Sequence, residues 1–341
     1  MDFIHLYLEL TSACNLSCRH CCVGNKPLAE LQNVKKLLET FSGKGGQYIT
    51  LSGGEPLLRK DWADIAEYSN QLGVTTTLFT NGTLVQENLS SILDLGLKVA
   101  LSLDGIDEGI NRLLRGESYQ KVMKSINLLV EAGREKEIAL SYTPTSVNLD
   151  QLEPLITFAV SKGIEHFHIS FLEVRGRAGT KDFELTDAEK VTLMKMLYEL
   201  AKTYEGVLTL ELSEGTDLLY DTWNFGKNIL QNPLGRTLKF TAEGKVYTST
   251  FVEGDLFLLG RYPGQSLDEL LHSPRIGELT KTIKKRPETI KECTECVFNP
   301  VCCAGVYTLA YNKHGTIMVP DEYCKGNQAI FEEVILSRVK K

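Results

Sequence analysis

The sequence predicts an α/β fold: a partial (β/α)6 TIM-like barrel over residues 1–205, followed by a small α+β domain over residues 206–341. Three observations predict it. Six short β-rich runs alternate with longer helical patterns, which implies a parallel sheet. The alternation ends near residue 205, short of the ~250 residues that a closed eight-unit barrel usually takes. Beyond that point the texture changes to brief strands, turns and clustered cysteines.

The strands are expected at Phe3–Leu10, Tyr48–Ser52, Thr75–Thr80, Lys98–Leu103, Glu137–Tyr142 and His166–Phe171. The first helix is expected to open at Pro27, a natural first-turn proline, because Leu28, Leu31, Val34, Leu38 and Phe41 recur at helical spacing. Val122, Ile126, Leu129 and Val130 repeat that spacing before Gly133, a plausible C-cap. Leu152, Leu155, Ile156 and Val160 do so before Gly163. The last barrel helix should run from an N-cap at Thr186 to about Tyr204. Past it come a hairpin around Glu243–Gly244 and a short helix over Leu267–Leu271. An amphipathic helix carrying Ile330, Phe331, Val334, Ile335 and Val339 closes the chain.

Composition narrows the function classes. The 341 residues carry 37 Lys+Arg against 44 Asp+Glu, a formal net charge of −7, with 43% hydrophobic and 24% charged residues. That is an ordinary globular balance. Its acidic sign argues against a nucleic-acid partner, which would need a basic stripe. No apolar run approaches the ~20 residues of a membrane span, and there is no signal segment, so the expected location is cytoplasmic.

Nine cysteines are the exception to this ordinary picture. They fall in two clusters: Cys14, Cys18, Cys21 and Cys22, then Cys293, Cys296, Cys302, Cys303 and Cys324. In a reducing compartment clustered thiols point to metal rather than to disulfides. Cys14-x3-Cys18-x2-Cys21 follows the first strand, at the carboxyl end that forms the active face of a parallel barrel. Three thiolates there can hold three irons of a [4Fe–4S] cube and leave the fourth open to a small molecule. A zinc site completed by Cys22 or His20 is the alternative.

The CNLSCRHC segment resembles the hallmark motif of the radical S-adenosylmethionine (SAM) superfamily, and further matches sit at later strand ends. The resemblance implies that the cluster's open iron chelates SAM, and that an electron cleaves it to methionine and a 5′-deoxyadenosyl radical that abstracts a substrate hydrogen. Gly53-Gly54-Glu55-Pro56 follows the second strand and, by resemblance, meets the methionyl amino group. Thr80-Asn81-Gly82 matches the turn after the third strand. In Leu101-Ser102-Leu103-Asp104-Gly105, Ser102 and Asp104 alternate to one face, and the family places them near the ribose. Arg115-Gly116 matches a further element, although the family's His-Asp pair reads Asn111-Arg112 here. Arg177, in Gly176-Arg177-Ala178, is placed to reach the SAM carboxylate. These matches cover about residues 4–180.

Cys293-x2-Cys296-x5-Cys302, with Cys324 following, resembles the SPASM extension of peptide and protein maturases, which normally carries two auxiliary [4Fe–4S] clusters. A zinc knuckle is the alternative on spacing. Laid onto the family pattern, the inner-cluster cysteines fall on Asn232, Ser249 and Val306, and all three thiols are missing. The outer set, Cys293, Cys296, Cys302 and Cys324, is complete, so the resemblance implies an iron–sulfur domain reduced to one auxiliary [4Fe–4S] cluster. Cys22 and Cys303 are left as spare thiols. Thr250, after Ser249, stands where some relatives have an acidic proton acceptor.

The leading functional expectation is modification of a ribosomally made peptide or protein side chain. The alternative is a small metabolite, either a tetrapyrrole side chain as in alternative haem synthesis or a sugar. A reducing partner such as flavodoxin or ferredoxin is implied. The short flanks outside the motifs leave no room for an appended leader-binding domain, so a peptide substrate would call for a separate peptide-recognition protein. A metal-binding interaction module without SAM chemistry is the non-enzymatic alternative. Glu173, Tyr142, His168 and Arg175 lie at or near strand ends on the substrate side, and none is assigned a catalytic role.

Overall fold

Six parallel strands each lead into a helix, and the sheet they form runs on past them at both edges. The computed structural model describes residues 3–24, 26–179, 181–212, 234 and 236–339. The barrel strands are β1 (His5–Thr11), β2 (Tyr48–Gly53), β3 (Thr75–Thr80), β4 (Lys98–Ser102), β5 (Ile138–Tyr142) and β6 (His166–Ile169). Between and after them lie α1 (Val34–Gly43), α2 (Trp62–Gln71), α3 (Leu89–Asp94), α4 (Glu108–Arg115), α5 (Tyr119–Glu131), α6 (Leu152–Ser161) and α7 (Asp187–Thr203). The expected partial (β/α)6 barrel is therefore present, with strand ends shifted by one or two residues.

A seventh parallel strand, β7 (Thr209–Leu212), adds beside β6. At the other edge β8 (Thr237–Phe240) pairs parallel with β1 and turns through Gly244 into antiparallel β9 (Lys245–Tyr247), followed by β10 (Leu258–Arg261). The expected boundary at 205/206 lies between α7 and β7, and the sheet continues across it in the order β10-β9-β8-β1-β2-β3-β4-β5-β6-β7. Next come α8 (Leu267–Leu271), α9 (Pro274–Thr289), α10 (Lys291–Thr294), α11 (Asn299–Cys302), α12 (Tyr307–His314) and α13 (Cys324–Val339).

The core lies between sheet and helices. Leu6, Leu8 and Leu10 of β1 are fully buried on the helix side, and each contributes about 1.5–3 kcal/mol relative to an exposed position. The alternate residues His5, Tyr7 and Glu9 face the concave side. There His5 meets Thr237 and Thr50 at 3.0 and 2.9 Å, and Tyr7 meets Ser52 at 2.6 Å. Phe79 of β3 and His168 of β6 touch edge-on across the barrel, with centroids 6.2 Å apart. A closed barrel fills this interior with branched apolar side chains; here it is polar.

The first helix departs from expectation. It begins at Val34, not at Pro27, and Leu28 is 84% exposed. The reason lies in the backbone. Ser12 N donates to Ala29 O and Leu31 N donates to Leu10 O, so residues 29–31 spend on β1 the groups that a helix would need. Other expectations hold. Thr186 caps α7 in a reciprocal pair with Glu189, and Gly133 and Gly163 take the left-handed conformation just after α5 and α6. The closing helix packs on α7, where Gly326 lies so near Met194 that a Cβ would approach it to 2.7 Å. Ile330, Phe331 and Val334 are buried; the side chains of Ile335 and Val339 lie outside the described residues.

Candidate active site

The first cysteine trio sits in the loop that leaves β1, and four neighbouring strand ends hold that loop. From β2, Gly54 N donates to Thr11 O at 2.7 Å and Glu55 N to Ala13 O at 2.8 Å. A Cβ on Gly53 would fall 2.2 Å from Thr11 O, and one on Gly54 2.3 Å from Ala13 O. The two glycines are therefore required by this close approach of backbone to backbone. From β3, Asn81 Nδ2 points at Cys14 Sγ, 3.8 Å away, and donates to Asn15 Oδ1 at 2.9 Å. From the loop after β6, Arg177 N donates to Cys21 O at 2.9 Å and its Nε to Cys18 O at 2.8 Å.

From β4 comes a buried polar hub. Asp104 is fully buried; its Oδ2 receives His20 Nε2 at 3.0 Å and Arg115 Nε at 2.5 Å, and its Oδ1 accepts from Thr143 N at 2.9 Å. Burial opposes its charge, but Arg115 and His20 win and hold the carboxyl well below the usual carboxylate range. Asn111, standing in the family's His-Asp pair, is also fully buried and accepts from Asp104 N at 3.3 Å. Ser102 is buried at the end of β4, opposite Ser141 of β5.

The structure thus brings Gly53, Gly54, Glu55, Asn81, Asp104 and Arg177 onto the cysteine loop, with Ser102 at the end of neighbouring β4, and gives several of them protein partners. Glu55 is fully buried, accepting from Thr80 Oγ1 and Leu57 N with Oε1 and from Asn81 N with Oε2. Asp104 and Arg177 likewise grip the loop. In this structure these three hold the shape of the site.

Below the loop lies a charge web that sequence reasoning registered only in part, through Glu173 and Arg175. Lys239 Nζ of β8 is 2.9 Å from Glu9 Oε1 and 2.8 Å from Glu253 Oε1. Lys26 Nζ approaches Glu253 Oε1 at 3.0 Å and Glu9 Oε2 at 3.6 Å. Arg175 Nη2 reaches Glu253 Oε1 at 3.2 Å, and its Nε is 2.5 Å from Glu173 Oε2. Burial works against the Glu253 charge, yet Lys239, Arg175 and Lys26 hold its carboxyl well below the usual range. Glu9 was detectable as a charged residue inside a strand of strict alternation, and Lys239 as its counterpart in β8. Tyr142 has a purely structural place, its hydroxyl donating to Asn148 O at 2.8 Å.

The second set of thiols is assembled by α10, α11 and the start of α13. Cys293, Cys296, Cys302 and Cys324 lie within one another's electrostatic reach: Cys324 feels Cys293 and Cys296, and Cys302 feels Cys324 and Cys293. Burial pushes Cys324 up to about 12, and the nearby Asp321 carboxyl adds to it. Cys303 follows directly but turns its thiol toward Pro300 O, 4.0 Å away. Ser249 is buried and accepts from Phe251 N and Val252 N, both at 3.1 Å, and Val306 packs in the core. Asn232 lies outside the described residues.

The donor sets fit the groups expected. Four thiols gathered from three short segments match a four-cornered cube, and three around the β1 loop match a cube with one open iron. Among the described residues no three His, Cys, Asp or Glu side chains are placed to hold a single metal ion. No helix of the described residues is long and apolar enough to cross a membrane.

Comparison with known proteins agrees with this geometry. The chain is 25% identical over 342 residues to the AdoMet-dependent heme synthase of Methanosarcina barkeri, covering 93% of this chain and 94% of that one. Among solved structures it resembles Streptococcus suis SuiB bound to precursor peptide SuiA, with a TM-score of 0.74, 19% identity, and 95% of this chain and 76% of that chain covered. It also resembles anSMEcpe with bound AdoMet and the Cp18Cys peptide, with a TM-score of 0.75, 18% identity and 98% of each chain covered. At such identities the structural likenesses show the fold. The family model for the radical SAM superfamily matches residues 8–179, from β1 through the Arg177 turn, and with this match spanning half of its length the chain belongs to the radical SAM superfamily.

Proposed function

We propose that this radical SAM enzyme abstracts a hydrogen atom from a carboxylate-bearing small metabolite of the tetrapyrrole side-chain type, bound in the polar barrel interior. The observation that carries the reading is the sharing of one carboxylate oxygen, Glu253 Oε1, by Lys26, Lys239 and Arg175 at 3.0, 2.8 and 3.2 Å. Three cations thus converge on one oxygen that has two lone-pair sites. Arg175 Nη2 has no acceptor in hydrogen-bonding geometry. An acceptor-rich substrate carboxylate answers that surplus with charge-assisted bonds. The similarity to a heme synthase over 93% of the chain supports the same class.

When bound, SAM and the [4Fe–4S] cluster supply the 5′-deoxyadenosyl radical that takes the hydrogen. The residues of the chain prepare that event. Cys14, Cys18 and Cys21 would hold three irons, and the Gly53–Gly54 backbone would receive the methionyl end of SAM. His20, Asp104, Asn81 and Arg177 fix the loop so that the reacting groups meet in one geometry. Lys239, Lys26 and Arg175 would hold the substrate carboxylate, and Phe79 against His168 narrows the interior behind it. Cys293, Cys296, Cys302 and Cys324 would hold one auxiliary [4Fe–4S] cluster, with a flavodoxin or ferredoxin as electron donor.

The test is anaerobic reconstitution followed by dithionite, SAM and a propionate-bearing iron tetrapyrrole, with 5′-deoxyadenosine measured. Substrate-dependent stimulation that Lys239→Met abolishes supports the reading. Stimulation by peptides alone sinks it. A peptide is the second reading, favoured by likeness to SuiB and anSMEcpe across both parts of the chain; it would employ a separate recognition protein.

A further inference from the structure

The turn after Cys302 runs through three consecutive residues in the left-handed region: Cys303 at φ 49°, Ala304 at φ 66° and Gly305 at φ 66°. Two of these carry a Cβ, which makes the conformation costly by about 1–3 kcal/mol each unless surroundings enforce it. Gly305 has no alternative, since a Cβ there would lie 2.0 Å from Asp321 Oδ2.

What enforces the turn is Arg286 of α9, a fully buried side chain. Its Nη2 donates to Ala304 O at 2.9 Å and Val319 O at 3.1 Å, its Nη1 to Gly305 O at 2.8 Å, and its Nε to Ile317 O at 2.6 Å. All four acceptors are neutral carbonyls. The carboxylate of the neighbourhood, Asp321, directs its oxygens to Val306 N and Tyr323 N, at 2.9 and 2.8 Å, and to Asn327 Nδ2 at 3.1 Å. A buried cation bonded only to carbonyls is expensive unless negative charge lies close by. Besides Asp321, the Cys293 and Cys302 thiols and the Tyr307 hydroxyl lie within electrostatic reach of Arg286.

We propose that Arg286 is the positioning residue of the auxiliary site: it clamps the left-handed turn behind Cys302 and supplies the counter-charge to an anionic thiolate-bound cluster at Cys293, Cys296, Cys302 and Cys324. This rests on the auxiliary-cluster reading above. A fixed cation beside the cluster stabilises its more negative, reduced form, so Arg286 raises the auxiliary midpoint potential. Loading of the site and burial of Arg286 then stabilise each other.

The experiment is an EPR-monitored redox titration of the reconstituted full chain, with iron counted and melting followed with and without iron, in wild type, Arg286→Gln and Arg286→Lys. The expected result in Arg286→Gln is a shift of the auxiliary signal to lower potential, an unmoved signal from the cluster at Cys14, Cys18 and Cys21, and a smaller melting shift on iron loading. Arg286→Lys keeps the charge and loses the fork; it should keep the auxiliary potential near wild type at a lower melting temperature. An unchanged auxiliary potential in Arg286→Gln overturns the proposal, as does a lysine variant displaced as far as the glutamine one. Should Arg286→Gln fail to take up auxiliary iron, full iron in Arg286→Lys supports the counter-charge and an equally empty lysine variant overturns it. Failure of the underlying reading shows separately and earlier, as about four irons per chain in the wild type where two cubes give about eight.

Discussion

His20 Nε2 lies 3.0 Å from Asp104 Oδ2, and that contact ties the loop between Cys18 and Cys21 to the end of β4. The same oxygen receives Arg115 Nε at 2.5 Å, so one buried carboxylate joins the loop, β4 and the end of α4. Two donors on a single buried carboxylate make each partner dependent on the others. His20 is thereby structural: it fixes where the flanking thiols stand.

Asp104→Asn keeps the shape of this hub and removes its charge. Loss of one partner from a buried pair costs about 3–5 kcal/mol. The variant should melt markedly lower and retain less iron at the first site. A melting curve and iron content within error of wild type would show that the hub does not hold the loop.

Gly53→Ala tests the close approach of β2 to the loop. The glycine sits at φ 135°, where a Cβ would meet Thr11 O at 2.2 Å. The strand end must move away, at a cost of about 1–3 kcal/mol or more. SAM binding by equilibrium dialysis should weaken at least tenfold even in protein that still carries iron. Unchanged SAM affinity would place the methionyl end elsewhere.

The web at Glu9 and Lys239 predicts strong coupling. Lys239→Met removes one of the two cations, Lys239 and Lys26, that Glu9 and Glu253 share and should destabilise by about 3–5 kcal/mol. Glu9→Gln in the same chain should recover part of that loss, giving a coupling of about 1–3 kcal/mol in a double-mutant cycle from urea melts. Strict additivity would mean that the two side chains do not interact in solution.

His5 makes stability depend on pH. Burial lowers its pKa from 6.5 to about 4, so between those values the unfolded chain binds a proton that the folded chain refuses. Its stabilisation is complete above pH 6.5 and is lost as pH falls toward 4, by up to about 3 kcal/mol. Urea unfolding at pH 7 and pH 5 should show the decline, and His5→Gln should flatten it. An equal slope in the variant would assign the dependence to other groups.

The two adjacent C-terminal thiols should separate cleanly. Cys302→Ala removes a corner of the second thiol set and should lower reconstituted iron by about four per chain. Cys303→Ala should leave the count unchanged, because that thiol turns to Pro300 O. Loss of iron from the Cys303 variant would exchange their roles.

Much of the site was legible along the chain because its parts repeat one rule: each lies where a parallel strand ends. Cys14, Asn81 and Arg177 follow β1, β3 and β6, and Gly53 and Ser102 close β2 and β4, and period-two alternation places those ends without coordinates. What misled was local: Pro27, Leu28 and Leu31 have helical spacing, but residues 29–31 hydrogen-bond to β1 instead. Spacing records which side chains could share a face and not where the backbone finds its partners.

By itself the sequence determined the βα alternation and the two thiol sets, since both are properties of order and spacing. Only the tertiary structure decided that Glu55, Asp104 and Arg177 grip the loop, that Lys239 and Glu9 share charge across β8 and β1, and that Arg286 stands behind Cys302. Glu9 and Lys239 are 230 positions apart in sequence and 2.9 Å apart in space. A buried charge takes whichever partner the fold brings within reach, and the energy of that pairing depends on distance and burial, neither of which is written in the local pattern.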